Sequence, residues 1–267
     1  LSLAFSTPHG LNEGTMENLR EIFVVLVKPH TPGNIGAAAR IVKNFGLGGL
    51  RLVGPCRPDA PEAGFLAAGA GDVLAAAGVY PDITKAVADA NLVAGTTSSR
   101  GRRPKAELYT PKELAAEIVT TAARGRVCLV FGPERTGLTE RELTLCTHLV
   151  SIPAHSDLPT LNLAQAVAVF AYEIFAAAKT TIPKAEEELP VALGELEPLF
   201  RGMQETLISV GFLSRSNPEH IMSTLRRILQ RAKLTERDVR IIRGVFSQID
   251  WFRREGHRLP KERIEKP

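Results

Sequence analysis

The sequence has few cysteines and no long unbroken apolar run, and each absence removes a class of function. Cys56, Cys128 and Cys146 are the only cysteines among 267 residues, and none forms a C-x-x-C pair. A disulfide framework and a cysteine zinc site are both unsupported, and a reducing, cytoplasmic setting is expected. The longest apolar stretch, Leu161 to Ala178, is interrupted by Asn162, Gln165 and Glu173, so it reads as a buried helix and not as a membrane span. Residues Leu1 to Leu11 lack the charged start and continuous apolar region of a secretory signal, and Met16 is the expected natural start. No G-x-x-x-x-G-K-[ST] phosphate loop occurs. The nearest dinucleotide fingerprint, Gly69-Ala-Gly71-Asp-Val-Leu74, lacks its third glycine and follows no good strand, which disfavours an NTPase or NAD enzyme. His30 and His155 have no cysteine or acid at ligand spacing, so they read as loop histidines and no metal is expected.

What is present is a globular balance, 44% apolar and 23% charged residues, with charge divided unequally. Residues 201–267 hold 15 Lys and Arg against 8 Asp and Glu, whereas the other 200 residues hold 18 against 21. A basic segment on a nearly neutral body suits a polyanion such as nucleic acid, although a solvated helical face gives the same pattern.

Short apolar runs recur at Ile22–Val27, Leu50–Gly54, Leu92–Gly95, Val127–Phe131 and Leu149–Ile152. Because they are apolar at successive positions, they predict strands covered on both faces, as in a parallel sheet flanked by helices. Helices are predicted between them at 35–45, 72–77, 82–90, 111–123, 139–146 and 161–178, with Gly46 as a left-handed cap after the first. The proline- and glutamate-rich stretch 179–190 reads as a linker. Beyond it, patterns at 191–210, 218–232 and 235–250 predict an all-helical extension, the last opened by Thr235-x-x-Asp238. The expected organisation is a body over 16–178, a linker over 179–190 and a basic helical extension over 191–267.

Three clusters lie at the ends of apolar runs, where open α/β sheets collect ligands. In the first, Asn34 is suited to cap a helix, and Gly36, one turn before Arg40, leaves room for a ligand beside the guanidinium; a capped helix with a solvated arginine explains the same residues. In the second, Gly132-Pro133-Glu134 through Gly137 lets the backbone approach a ligand closely, or forms an ordinary strand-to-helix turn in which Glu134 favours the next helix start. In the third, Asn162 and Gln165 form a possible capping box after the loop from Ile152-Pro153 to Thr160-Leu161.

Taken together and in order, the clusters resemble the three motifs of the SpoU/TrmH class of SPOUT RNA methyltransferases. Asn34-x-Gly36-x-x-x-Arg40 looks like the first, Phe131-Gly132-Pro133-Glu134-x-x-Gly137-Leu138 the second, and Ile152-Pro153 through Thr160-Leu161-Asn162-x-Ala164 the third. The tail, with Gly211-Phe212-Leu213, Leu225-Arg226-Arg227 and Ile241-Ile242-Arg243-Gly244-Val245-Phe246-x-Gln248-Ile249, resembles the extension of the TrmJ subgroup. The resemblance implies S-adenosylmethionine as methyl donor, a C-terminal trefoil knot in the sheet, a homodimer, and a ribose 2′-hydroxyl of tRNA as acceptor, typically nucleotide 32 of the anticodon loop. It also implies cofactor contacts from Thr96, Thr97, Ser98, Gly132, Ile152, Thr160 and Leu161, with Arg40, Asn34, Glu134 and Asn162 as catalytic and supporting residues. Where relatives often carry an arginine after the Gly-Thr pair, this chain has Ser98-Ser99 before Arg100.

Ribosomal RNA is the alternative substrate, since the catalytic motifs are shared across the class. A non-catalytic RNA-binding protein on the same scaffold is a further alternative, against which stands the retention of all four polar motif residues. In the tail, Arg226, Arg227, Arg231, Arg240 and Arg243 are expected to meet phosphates, while Trp251 and Phe252 are expected to pack the last helix against its neighbours.

Overall fold

A computed structural model of the protein describes residues 17–97, 107–181 and 188–255. These divide at Leu189 and Pro190 into two compact units. The first is built on a seven-stranded sheet of β1 (Ile22–Val27), β2 (Gly49–Val53), β3 (Gly78–Tyr80), β4 (Leu92–Thr96), β5 (Leu108–Tyr109), β6 (Val127–Phe131) and β7 (His148–Val150). Their order is β3-β2-β1-β6-β4-β7-β5, and every pairing is parallel. The unbroken apolar runs thus mark strands covered on both faces: all five residues of β6 and five of the six in β1 are buried.

The helices of this unit are α1 (Pro32–Asn44), α2 (Pro61–Leu66), α3 (Gly71–Ala75), α4 (Ile83–Ala86), α5 (Pro111–Ala122), α6 (Glu140–Leu143) and α7 (Leu163–Ala178). Helix α7 packs against both α1 and α5. Its apolar face holds Phe170 edge-on to Phe131 of β6 at 5.2 Å, and Phe175 edge-on to Phe45 after α1 at 5.6 Å. Gly46 takes the expected left-handed conformation after α1, with φ +66°. β3, β5 and α2 leave no signal in the sequence, being three, two and six residues long, too short for a periodicity to register. It also overextends α4 and α6, each of four residues.

One polar residue inside an apolar run is accounted for by its partners. Arg51 of β2 is buried, and its guanidinium forks onto Asp89 at 2.6 and 2.9 Å and donates to the Ala86 carbonyl. A buried charge needs this kind of paired, hydrogen-bonded setting.

Helix α2 crosses α1 at Gly36, where a Cβ would stand 1.9 Å from the Ala63 carbonyl oxygen. Gly36→Ala is expected to lower the unfolding free energy by about 1–3 kcal/mol through overpacking against main chain, outweighing the ~1 kcal/mol that alanine gains over glycine in a helix. Gly64→Ala in α2, where an added Cβ meets nothing within 4 Å, is expected to stabilise by up to ~1 kcal/mol. Urea unfolding of the two variants measures the contrast, and equal stabilities would show that the α1–α2 crossing yields without cost.

The second unit comprises α8 (Leu193–Ser209), α9 (Glu219–Arg231) and α10 (Glu236–Glu255). Helix α8 buries Leu196, Leu199, Phe200 and Met203 and makes contact with both other helices. The expected Thr235–Asp238 start is present: the Asp238 carboxylate accepts from the Thr235 N–H at 2.9 Å, and the Thr235 hydroxyl accepts from the Asp238 N–H at 3.4 Å.

Candidate active site

The parallel order β6-β4-β7 sets three of the expected cofactor segments side by side at the carboxyl ends of neighbouring strands. Thr96 closes β4 opposite Val150 of β7, the Thr97 N–H donates to the Val150 carbonyl at 2.9 Å, and Gly132 and Ile152 follow the ends of β6 and β7. Thr96, Thr97, Gly132, Ile152 and Leu161 are half-buried and Thr160 is exposed. Ser98 lies outside the described residues, as do Ser99 and Arg100. Two glycines make this layer compact. A Cβ on Gly95 would meet the Cys146 sulfur at 2.3 Å, and one on Gly132 would meet the Leu138 nitrogen at 2.3 Å. The turn after β6 therefore folds back over Gly132, helped by Gly137 at φ +64°.

Beside this layer, one hydrogen-bond chain joins all three motifs. The Glu134 carboxylate accepts from the His30 N–H at 3.0 Å, the Thr31 N–H at 3.3 Å and the Asn34 side-chain amide at 2.7 Å. The Asn34 side-chain oxygen accepts from the Asn162 amide at 3.0 Å. Asn162 is itself the N-cap of α7, accepting from the Ala164 and Gln165 N–H groups in the expected capping box. The chain thus runs from the β6 turn through α1 to the start of α7. Burial opposes ionisation of Glu134, but the donors from His30, Asn34 and Thr31 outweigh it and hold the carboxyl below the usual carboxylate range.

Asn34 does not cap α1, which begins at Pro32 with Thr31 as N-cap; it is buried in the first turn, and Glu134 takes up the N–H groups ahead of the helix instead. Glu134 thereby supports α1 rather than the helix after its own turn, whose cap is Thr139. Gly36 leaves no room for a ligand, because Ala63 of α2 fills the space. One contributor escapes sequence reasoning: Lys28, at the end of β1, has φ +46°, a left-handed conformation rare for a side-chain-bearing residue. The turn it makes delivers the His30 and Thr31 N–H groups to Glu134. Its position before Pro29 gives no hint of this, since a residue preceding proline ordinarily stays extended.

Arg40 stands apart from the chain of hydrogen bonds. It lies six residues after Asn34 on α1, about 9 Å along the axis, is exposed, and makes no hydrogen bond or ion pair with the described residues. A cation held on a fixed helix and left unpaired is available to an anionic ligand. Among the described residues no group of three or more His, Cys, Asp or Glu could hold a metal ion, and no helix is long and apolar enough to cross a membrane.

In the second unit the arginines separate into two kinds. Arg226 is tied to Glu197 at 2.7 Å and stacked over Phe200 at 4.6 Å, and Arg243 donates to the Glu195 carbonyl at 3.0 Å, so these two fasten α9 and α10 to α8. Arg226 is thereby engaged within the unit and not at a phosphate as expected, whereas Arg243 remains exposed. Arg231 and Arg240 are exposed and Arg227 half-buried, with none paired to a described residue. Trp251 and Phe252 also depart from expectation: they are 38% and 56% exposed and do not close the helical core.

Residues 21–172 match the SpoU rRNA Methylase family, and they contain the whole hydrogen-bond chain. The chain belongs to the SpoU family. Its second unit matches the tRNA methyltransferase TrmJ C-terminal domain over residues 194–261. A tRNA (cytidine/uridine-2'-O-)-methyltransferase TrmJ of Salmonella choleraesuis strain SC-B67 is 39% identical over 238 residues, 87% of this chain and 97% of that protein. The crystal structure of TrmJ from Z. mobilis ZM4 superposes with a TM-score of 0.74 at 35% identity, covering 85% of this chain and 98% of that one. A probable methylase family protein from Haemophilus influenzae Rd KW20 superposes at 0.56 with 34% identity, covering 88% and 97%.

Proposed function

We propose that this SpoU-family chain transfers the methyl group of S-adenosylmethionine to a ribose 2′-hydroxyl of tRNA, at nucleotide 32 of the anticodon loop. The observation that carries the reading is the Glu134–Asn34–Asn162 chain, which ties the start of α1, the helix that carries Arg40, to the turn after β6 and the start of α7. The match of the second unit to the TrmJ C-terminal domain favours tRNA over ribosomal RNA.

The residues at the strand ends fit the cofactor. Thr96 and Thr160 offer hydroxyl groups, Ile152 and Leu161 offer half-buried apolar surface, and Thr97 and the compact turn at Gly132 offer main chain beside them. S-adenosylmethionine supplies an electrophilic methyl group on a sulfonium. The protein must then position the hydroxyl in line and manage its proton. A guanidinium has donors and no acceptor, so Arg40 orients the RNA and stabilises negative charge developing on the 2′-oxygen. Glu134, Asn34 and Asn162 hold the loop and helix starts that set these groups in place. The division of labour gives the body, residues 16–178, methyl transfer and the basic extension, 191–267, RNA binding.

Incubating the protein with labelled S-adenosylmethionine and a tRNA pool, then mapping the modified nucleoside, is the test. Label at the ribose of position 32 is expected; label in ribosomal RNA alone would move the substrate, and label in neither would end the reading.

The homodimer, the trefoil knot and the cytoplasmic setting belong to the same proposal. The body is expected to dimerise by itself, and a chain ending at Leu189 should sediment as a dimer. That shortened chain should still bind S-adenosylmethionine and should lose part of the salt dependence of tRNA binding, whose log–log slope is about −0.7 to −0.9 per phosphate contact. A monomeric body would assign the interface to the extension.

A further inference from the structure

Helix α10 carries two apolar stripes and uses one. Val239 is buried, with Ile242, Phe246 and Ile249 half-buried, and α10 packs on α8. Ile241, Val245, Gln248 and Phe252 follow at intervals of four, three and four residues, the spacing of a second helical face. That face is open: Val245 is 54% and Phe252 56% exposed. With Val210 at the end of α8 and Ile249, they line a groove of about 710 Å³ that also receives Gln248 and Arg253. The groove is shallow, open to solvent and mostly apolar, so it would take a flat ring lying along its floor and not an enclosed ligand.

The chemistry of the lining selects the occupant. Gln248 presents an amide that makes no hydrogen bond with the described residues, and an amide suits the donor and acceptor edge of a base. Arg253, Arg254 and Arg240 are exposed and engage no described residue. Residues 201–267 hold 15 basic against 8 acidic side chains. A second copy of the chain would set this positive surface against itself, whereas RNA complements it. We propose that the groove takes an unpaired nucleobase of the RNA substrate, stacked on Phe252, with Gln248 at the base edge and Arg253 at a neighbouring phosphate. The proposal rests on the reading of the substrate as RNA and adds to it a site for single-stranded structure.

The test uses the full chain and equilibrium binding of a stem-loop RNA with an unpaired loop, compared with the same strand annealed to its complement. Wild type should prefer the unpaired form. Phe252→Ala should weaken binding of that form by about 5- to 150-fold, the effect typical of one stacked base, and leave duplex binding nearly unchanged. Phe252→Trp should restore the preference, whereas Phe252→Leu, which keeps apolar bulk and helix, should not. Wild-type affinity in Phe252→Ala, or full rescue by leucine, overturns the proposal. So does a fall in sedimenting mass in Phe252→Ala with RNA affinity intact, which would assign the groove to a second copy. Because binding is read without turnover, failure of wild type to methylate tRNA would remove the proposed activity while the Phe252 series still decides the groove.

Discussion

Replacing Arg40 by alanine is expected to slow single-turnover methyl transfer at saturating cofactor and tRNA by about 10²–10³-fold, the usual cost of one electrostatic contact to a developing oxyanion. The side chain is exposed and unpaired among the described residues, so its loss should change stability by less than about 0.5 kcal/mol. It projects from α1, whereas the residues suited to the cofactor sit at the ends of β4, β6 and β7, so S-adenosylmethionine affinity should stay near wild type. Lysine supplies a positive charge without the planar fork, so Arg40→Lys should retain the part of the rate that rests on charge and lose the part that depends on forked geometry. A rate near wild type in Arg40→Ala would remove the residue from the reaction. A large loss of cofactor affinity would place it in the donor site instead.

Much of the body is legible in the sequence because a parallel sheet covered on both faces leaves continuous apolar runs, and β1, β2, β4, β6 and β7 stand close to where those runs fall. The edge strands β3 and β5 leave no such trace in two or three residues. At the site, Asn162 as a cap is visible in the local pattern Asn162-x-x-Gln165. The use of its other amide group is not, because Asn34 is 128 residues away in the chain, and Glu134 meets Asn34 across 100. Local pattern assigns each polar residue to its own helix start; tertiary structure assigns Glu134 to someone else's. The same reason misplaces one of the tail arginines. Arg226 looks free in its own helix, but Glu197 and Phe200 of α8 claim it. Phe252 errs in the opposite direction, since the preference of large aromatics for cores says nothing about which of two apolar stripes a helix will pack.

Loss of the Glu134 carboxylate should damage both the fold near the site and the reaction. Glu134→Ala leaves the His30 and Thr31 N–H groups and the Asn34 amide without their acceptor. Solvent reaches part of this cluster, so the expected destabilisation is modest, about 1–2 kcal/mol. The kinetic effect is expected to exceed it. Asn34 joins the β6 turn to Asn162, and a shift of about 1 Å in the helix that carries Arg40 is enough to cost roughly 10²-fold in rate. Glu134→Gln should fall between, since its amide keeps one acceptor oxygen but turns a donor toward donors. The pH dependence has a definite direction. The folded carboxyl lies below its ordinary value of 4.5, so its stabilising effect is complete above that value and declines as pH falls through the lower folded one. The stability gap between wild type and Glu134→Ala should therefore be constant near neutrality and shrink in acid, as measured by urea unfolding across pH. A gap that widens on acidification would mean that Glu134 is held protonated. Wild-type turnover in Glu134→Ala would mean that α1 keeps its place without the carboxylate and that the chain of hydrogen bonds does not position Arg40.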